Sequence, residues 1–399
     1  MKPYPTIVIG AGAAGITAAI SAKRRGDPVI VCDRMPQSGK KILASGNGRC
    51  NLLNDDLSES NYNMSARVLA RSIFSKFGKA DIFDFFKKLG LEMYSDNGRI
   101  FPVTNQSSSV LKVLELELKR LSIPVEFNFD VIDISGSKDS FILKSKSGRT
   151  MQSSKVVIAT GGRSYPALGS DGSMLKLVER FGHNIIDTVP SAVPILTKNK
   201  LCHLLQGQKI FARASSVIDQ KTASEASGDI LFTKYGLSGT AILDISRELS
   251  VALNRSNKKD VAVLVDMVPF MDANALKTGL ARRMESGISG EDILTGILPN
   301  KFGRVLKDAI YGMNAAEIAD MLKSMLFKVT GTRGWNEAEF TSGGIDTLEV
   351  VTDTLESKIK KGVYFAGEIL DVDGRRGGYN LAWAWASGYV AGLAGQSQE

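Results

Sequence analysis

The 399-residue chain is 43% apolar and 23% charged, with 50 Lys and Arg against 42 Asp and Glu, a formal net charge of +8. That length predicts more than one domain, and the composition excludes a largely disordered chain. Charges are interleaved without a block of five like signs, which argues against a nucleic-acid role; three cysteines without a CxxC pair and two histidines argue against a disulfide framework and a zinc site.

Thr6 to Ile9 reads as a buried strand that runs straight into Gly10-Ala11-Gly12-Ala13-Ala14-Gly15. Ile16 to Ala22 then reads as a helix with small residues on its packing side. Pro28 to Cys32 is a second strand, ending on Asp33. Gly10 allows a tight turn, Gly12 leaves room for a phosphate, and Gly15 lets the helix sit on the strand. The amides of Ala13, Ala14 and Gly15 face a pyrophosphate at the helix N-terminus. Asp33, 18 residues after Gly15, offers a carboxylate to ribose hydroxyls, with Arg34 beside it. NAD and FAD both fit these residues. Glycines and charges interrupt the apolar stretch from Ile7 to Val31, and no run of about 20 apolar residues occurs elsewhere, so a cytoplasmic chain without a membrane span is expected.

The segment from Ser38 to Asn51 adds Lys40, Lys41, Ser45, Gly46, Asn47, Gly48, Arg49, Cys50 and Asn51. Its backbone amides and cations suit the far end of a long dianionic cofactor. Ala66 to Gly90 reads as one helix, with Leu69, Ile73, Phe77, Phe83, Phe86 and Leu89 as core. Val110 to Leu121 is another. Val125 to Ile134 and Phe141 to Lys146 read as hairpin strands around Ser135 to Ser140. Lys155 to Ile158 is a strand ending in Ala159, Thr160, Gly161 and Gly162.

From Pro194 to Asp266 short strands predict a small β-barrel or sandwich, with Lys209 to Ile218 and Asp229 to Thr233 among them. Asp272 to Glu285, Lys301 to Met313 and Ala315 to Phe327 read as helices, the last two capped by Asn300 and Asn314. Phe340 to Ile345 returns to the first domain. Gly362 to Phe365 is a strand leading to Gly367 and Glu368, whose carboxylate can accept from ribitol hydroxyls, a group NAD lacks. Asp373, Gly378, Tyr379, Asn380 and Leu381 then open an apolar helix from Ala382 to about Leu393, a second helix N-terminus suited to a flavin carbonyl.

Together Gly39 to Asn54, Gly161 to Gly172, Gly228 to Leu243 and Gly362 to Gly392 resemble the HI0933-like (YhiN-type) family of bacterial FAD-dependent flavoproteins. That family includes aminoacetone oxidase and bile-acid reductases. The resemblance implies an α/β fold: a Rossmann-like, glutathione-reductase-type FAD-binding domain from residues 1–192 and 340–399. Residues 193–339 form an inserted domain, β-barrel-like over 193–268 and helical over 269–328. It also places the backbone of Val131 at the adenine. Asn105-Gln106-Ser107 replaces a charged stretch of the family, and Trp383 and Trp385 are bulkier than its pattern; both are expected on the substrate side.

With one dinucleotide fingerprint, a permanent nicotinamide site is not expected, and NAD(P)H would bind transiently as a co-substrate. The expected reaction is hydride transfer at the flavin to a small carbonyl-containing or polar metabolite, with NAD(P)H or oxygen as redox partner. The substrate cleft is expected between the FAD domain and the insertion, lined by Tyr165, Arg375 and Tyr379, with Arg49 near the flavin ring. Cys50 reads as a packed thiol. The sequence names no catalytic residue and no oligomeric state. The alternative is a structural or sensory FAD in a protein that binds RNA or a protein partner.

Overall fold

The computed structural model describes residues 4–137 and 139–394. The ends of the expected FAD-binding segments, residues 1–3 and 395–399, and Lys138 of the expected hairpin loop lie outside them. The chain forms two compact units, one from residues 1–188 and 340–399 and one from residues 189–339.

The first unit is built on a seven-stranded sheet. Tyr4–Ile9 pairs in parallel with Val29–Cys32 on one side and Thr150–Ile158 on the other. Val125–Glu126 and Val363–Phe365 extend this parallel part at its two ends. Val131–Ser137, Ser140–Ser145 and Thr150–Ile158 form an antiparallel meander. Ile7, Val8, Val31, Val156, Val157 and Phe365 have no exposed surface, as expected of strands covered on both faces.

The first helix, Ala13–Arg24, lies against the C-terminal helix, Tyr379–Leu393. Glycine permits the approach: a Cβ on Gly388 would sit 2.2 Å from the carbonyl oxygen of Ala14, and one on Gly392 would sit 2.3 Å from that of Ala18. Lys155 closes the far end of the C-terminal helix. Its buried Nζ donates to the carbonyls of Ala391 (2.8 Å), Gly392 (3.1 Å) and Ala394.

The second unit contains a closed barrel of six strands, in the order Ile195–Thr197, Gly236–Ser238, Lys221–Thr233, Lys209–Ile218, Val261–Asp266 and Met325–Thr332. Helices Ala273–Glu285, Asn300–Ile310 and Ala315–Lys323 follow in the same unit. The expected class, a Rossmann FAD-type domain with an inserted barrel and a helical portion, is the fold observed.

Several element expectations are corrected. Ala66 to Gly90 is two helices, Arg67–Lys76 and Lys79–Lys88. The break falls at Gly78, whose backbone N–H donates to Asp81 at 2.9 Å and so starts a new helix. Val125 to Ile134 is interrupted at Asn128, which takes φ 53°. Asp229 to Thr233 is the end of a 13-residue strand, Lys221–Thr233, and the helix Thr240–Ser250 lies within the region read as strands. Ala315 to Phe327 stops as a helix at Lys323, because Phe327 pairs with Val263 in the barrel. Asn314 caps its helix by accepting from Ala316 and Glu317. Asn300 caps nothing; it is the first helical residue, preceded by Pro299.

Trp383 and Trp385 are core residues rather than substrate-side ones. Both are buried, and their indole N–H groups donate to the carbonyls of Gly367 (3.1 Å) and Leu52 (3.0 Å).

Candidate functional site

Gly10 takes φ +107°, and a Cβ there would meet the Ala159 carbonyl oxygen at 2.4 Å. A Cβ on Gly15 would sit 1.7 Å from the Gly10 carbonyl oxygen, so both glycines are required by the packing of strand on helix. Gly12 differs: a Cβ there would meet nothing within 4 Å. The space in front of it is open, while Ala13, Ala14 and Gly15 begin a helix with no acidic residue in its first turn and no side-chain cap. This is an anion cradle with its donors unspent.

Asp33 stands at the end of the second strand. Its Oδ2 accepts from the Ala11 amide at 2.5 Å and its Oδ1 from the Met35 amide at 2.7 Å. Burial pushes its carboxyl above the usual aspartate range, and the two amides oppose that. Arg34 is held by Asp130 (3.1 Å) and Asp171 (2.6 Å). Arg34 and Asp130, with Val131 and Lys176, line a cavity of about 230 Å³.

Thr160 to Gly162 end the strand Thr150–Ile158 beside Glu368. Thr160 Oγ1 is buried without a hydrogen-bond partner among the described residues, a deficit of about 1–3 kcal/mol that a polar ligand group would relieve. Glu368 accepts from the Thr341 amide (2.7 Å), Ser164 Oγ (3.1 Å), the Gly162 amide (3.3 Å) and Lys41 Nζ (2.5 Å). Lys41 also donates to Ser164 at 2.9 Å. The carboxylate thus ties the glycine turn to Lys41. Lys40 begins the same short helix, Lys40–Ala44, and Ser45 Oγ donates to the Ile42 carbonyl.

Gly46 to Arg49 form a tight turn in which Gly46 and Asn47 are left-handed. Cys50, at φ 57°, has no exposed surface, and burial pushes its thiol up to about 12. Such a thiol is inert. Asn51, once its amide is turned, accepts from the Gly378 amide and donates to the Leu53 carbonyl, each at 3.1 Å. That bond draws the turn up to the start of the C-terminal helix. Gly378, at φ +99°, opens this helix with no side-chain cap and no acid in its first turn, so the end amides of Tyr379, Asn380 and Leu381 form a second donor array. Asn380 braces the preceding loop by bonding both backbone groups of Gly374, and Asp373 is buried behind it.

The sequence shows Arg49 only as a cation expected near the flavin ring. It lies over Phe101 (4.2 Å to the centroid), with Nε donating to Asn105 (2.9 Å) and Nη2 to Tyr94 (2.9 Å). Tyr94 donates onward to Asn105 at 2.8 Å. Tyr94 and Phe101 were missed because neither stands in a glycine block. Arg375 is exposed and Tyr165 adopts φ 55°. No cluster able to hold a metal and no helix long and apolar enough to cross a membrane occurs among the described residues.

The glycine turn, the terminal acid, the orphaned Thr160 hydroxyl and the second open helix end fit FAD; this is the architecture of an FAD-dependent oxidoreductase. The chain belongs to the HI0933-like family, whose description, HI0933-like protein Rossmann domain, matches residues 4–394. It is 35% identical to the 3-dehydro-bile acid delta(4,6)-reductase of Clostridium scindens, over 97% of this chain and 98% of that one. It is 30% identical to the ribosomal RNA dihydrouridine synthase of Escherichia coli, over 98% and 97%. In fold it is similar to the 3-ketosteroid-delta4-(5alpha)-dehydrogenase of Rhodococcus jostii RHA1, with a TM-score of 0.51 at 14% identity, covering 98% of this chain and 96% of that one.

Proposed function

We propose that this protein reduces a carbon–carbon double bond conjugated to a carbonyl in a small molecule, with electrons from NAD(P)H. One observation carries the reading: two relatives that match it end to end act on different molecules, yet their names denote the same bond change. The 4,6 double bonds of a 3-dehydro compound lie in conjugation with its ketone. Dihydrouridine is uridine with the ring double bond next to a carbonyl saturated. Each turnover adds a hydride to the far carbon of the conjugated double bond (the β-carbon of an enone, the δ-carbon of a dienone) and a proton to a carbon nearer the carbonyl, and consumes one NAD(P)H and one proton.

FAD, when bound and reduced by NAD(P)H, would supply the hydride. The turn from Gly10 to Gly15 holds the pyrophosphate, Asp33 the adenosine ribose and Val131 the adenine. Lys41, fixed by Glu368, and the end amides of the C-terminal helix face the flavin half. A second reading, uridine within RNA as substrate, draws on the relative from Escherichia coli and on the net charge of +8.

The test is a product analysis. Purified yellow protein is incubated anaerobically with NADPH or NADH and, separately, a 3-oxo-4,6-diene steroid, a small enone and a uridine-containing ribosomal RNA fragment. The expected result is a gain of two hydrogens in one of the small molecules. Gain in the RNA alone selects the second reading. Flavin that neither nicotinamide bleaches, with no compound hydrogenated, sinks both.

A further inference from the structure

Among the described residues, Arg49, Arg99 and Arg375 of the first unit make no ion pair within 4 Å; Asp56 acts on Arg375 at longer range, and Asp96 stands across the hairpin from Arg99. Arg49 is half-buried and immobilised: Phe101 carries its face, Tyr94 and Asn105 take Nη2 and Nε, and Nη1 makes no hydrogen bond among the described residues. Three non-glycine residues around it, Asn47, Cys50 and Asn105, adopt φ between 52° and 57°. Arg99 is two residues before Phe101 on the strand Arg99–Pro102, hence on the same face, and its guanidinium stem lies against Gly377, where a Cβ would be 3.4 Å from Nε. Arg375 is exposed on the loop that leads into the C-terminal helix. Arg99 and Arg375 both act on the Tyr379 phenol, lowering its pKa, though burial and Asp56 outweigh them and leave it raised.

The acids nearby make their close contacts elsewhere, although Asp56 also feels Arg375: Asp96 accepts from Asn97 at 2.9 Å. Asp55 pairs with Lys79 at 2.7 Å. Asp56 accepts from the Ser58 amide (2.9 Å) and from Asn61 (3.0 Å). Three guanidiniums without a close ion pair, beside an uncapped helix end, leave donors and positive charge that an anion would satisfy. Guanidinium forks match the two oxygens of a carboxylate or phosphate.

We propose that Arg49, Arg99 and Arg375 form an oxyanion site that receives a carboxylate or phosphate group of the substrate. Arg49 is the rigid anchor, and Arg99 and Arg375 are the adjustable pair. The site rests on the proposed reduction only in its assignment to substrate; its ability to bind an oxyanion does not depend on turnover.

The test uses the FAD-loaded protein at constant ionic strength. Sodium sorbate, a conjugated dienoate, and its neutral amide, sorbamide, are titrated while the flavin spectrum and the melting temperature are followed. Sorbate is expected to bind at least about tenfold more tightly than sorbamide, the scale of one charge-assisted contact. The R99Q/R375Q variant should lose that difference, and R99K/R375K should recover part of it. These two side chains are exposed, so the fold should be retained, and an unchanged melting temperature without ligand confirms it. A parallel titration with oligouridylate distinguishes the sources of the anion. Tighter, steeply salt-dependent binding than sorbate assigns an RNA phosphate; weaker binding assigns a small-molecule carboxylate. Equal affinity for sorbate and sorbamide, no response to either, or an undiminished preference in R99Q/R375Q overturns the oxyanion site. If the preference is found but NAD(P)H reduces neither flavin nor enone, the site stands and the proposed reaction fails.

Discussion

Substituting Gly12 by valine separates cofactor binding from folding in one residue. Gly12 has φ −91° and ψ −167°, a conformation open to any residue, and its Cβ would meet no protein atom within 4 Å. The apoprotein should therefore be as stable as wild type, or more stable by up to about 1 kcal/mol through the stiffer unfolded chain. The branched side chain would instead occupy the space proposed for the pyrophosphate. Losing two amide contacts to a charged group, at about 1.5–3 kcal/mol each, costs roughly 3–6 kcal/mol of binding. That is about 100- to 10,000-fold in FAD affinity. The assay is urea unfolding of the apoproteins alongside FAD titration by fluorescence quenching. Gly15→Ala is the contrast, since its Cβ falls 1.7 Å from the Gly10 carbonyl oxygen and must damage the fold itself. A Gly12→Val protein that purifies fully yellow, or one that unfolds as readily as Gly15→Ala, refutes the reasoning.

The remaining predictions concern packing, thiols and pH. Gly388→Ala should destabilise by about 1–3 kcal/mol or more in urea titration, because its Cβ would be 2.2 Å from the Ala14 carbonyl oxygen. The native thiols should stay silent to a disulfide reagent at pH 8: Cys32, Cys50 and Cys202 are buried, with the last two pushed up to about 12, and all three should react in urea. Burial pushes Lys155 down to about 7 against about 10.4 in an unfolded chain. Between those values the unfolded chain holds the extra proton, so stability rises with pH at up to about 1.4 kcal/mol per unit and falls toward a plateau below about 7. Lys155→Met should flatten that slope, and a variant with the wild-type slope would exclude the assignment.

The parts legible in the sequence are those whose chemistry is local. Gly10, Gly12 and Gly15 announce a turn and a helix start through their spacing alone, and Asp33 follows at the end of a short apolar strand. The parts that were not legible depend on distant partners. Nothing within Ala315 to Phe327 shows that Met325 onward will leave helical periodicity to pair with Val261–Asp266. The tryptophans read as bulk, and only the carbonyls of Gly367 and Leu52 reveal them as core. Arg49 meets Tyr94 and Asn105 across 45 and 56 residues of chain, so no motif could join them. Glu368 is legible as an acid just past a strand, while its four donors come from three separate segments, around Lys41, Gly162 to Ser164, and Thr341.

The most direct measurement is anaerobic reoxidation. The purified protein is reduced with dithionite, freed of excess reductant, and mixed without oxygen with the conjugated carbonyl compounds above. The expected result is return of the oxidised flavin spectrum with one equivalent of saturated product per flavin. Flavin that stays reduced against every conjugated double bond, yet reoxidises when air is admitted, would contradict an enzyme that reduces such bonds.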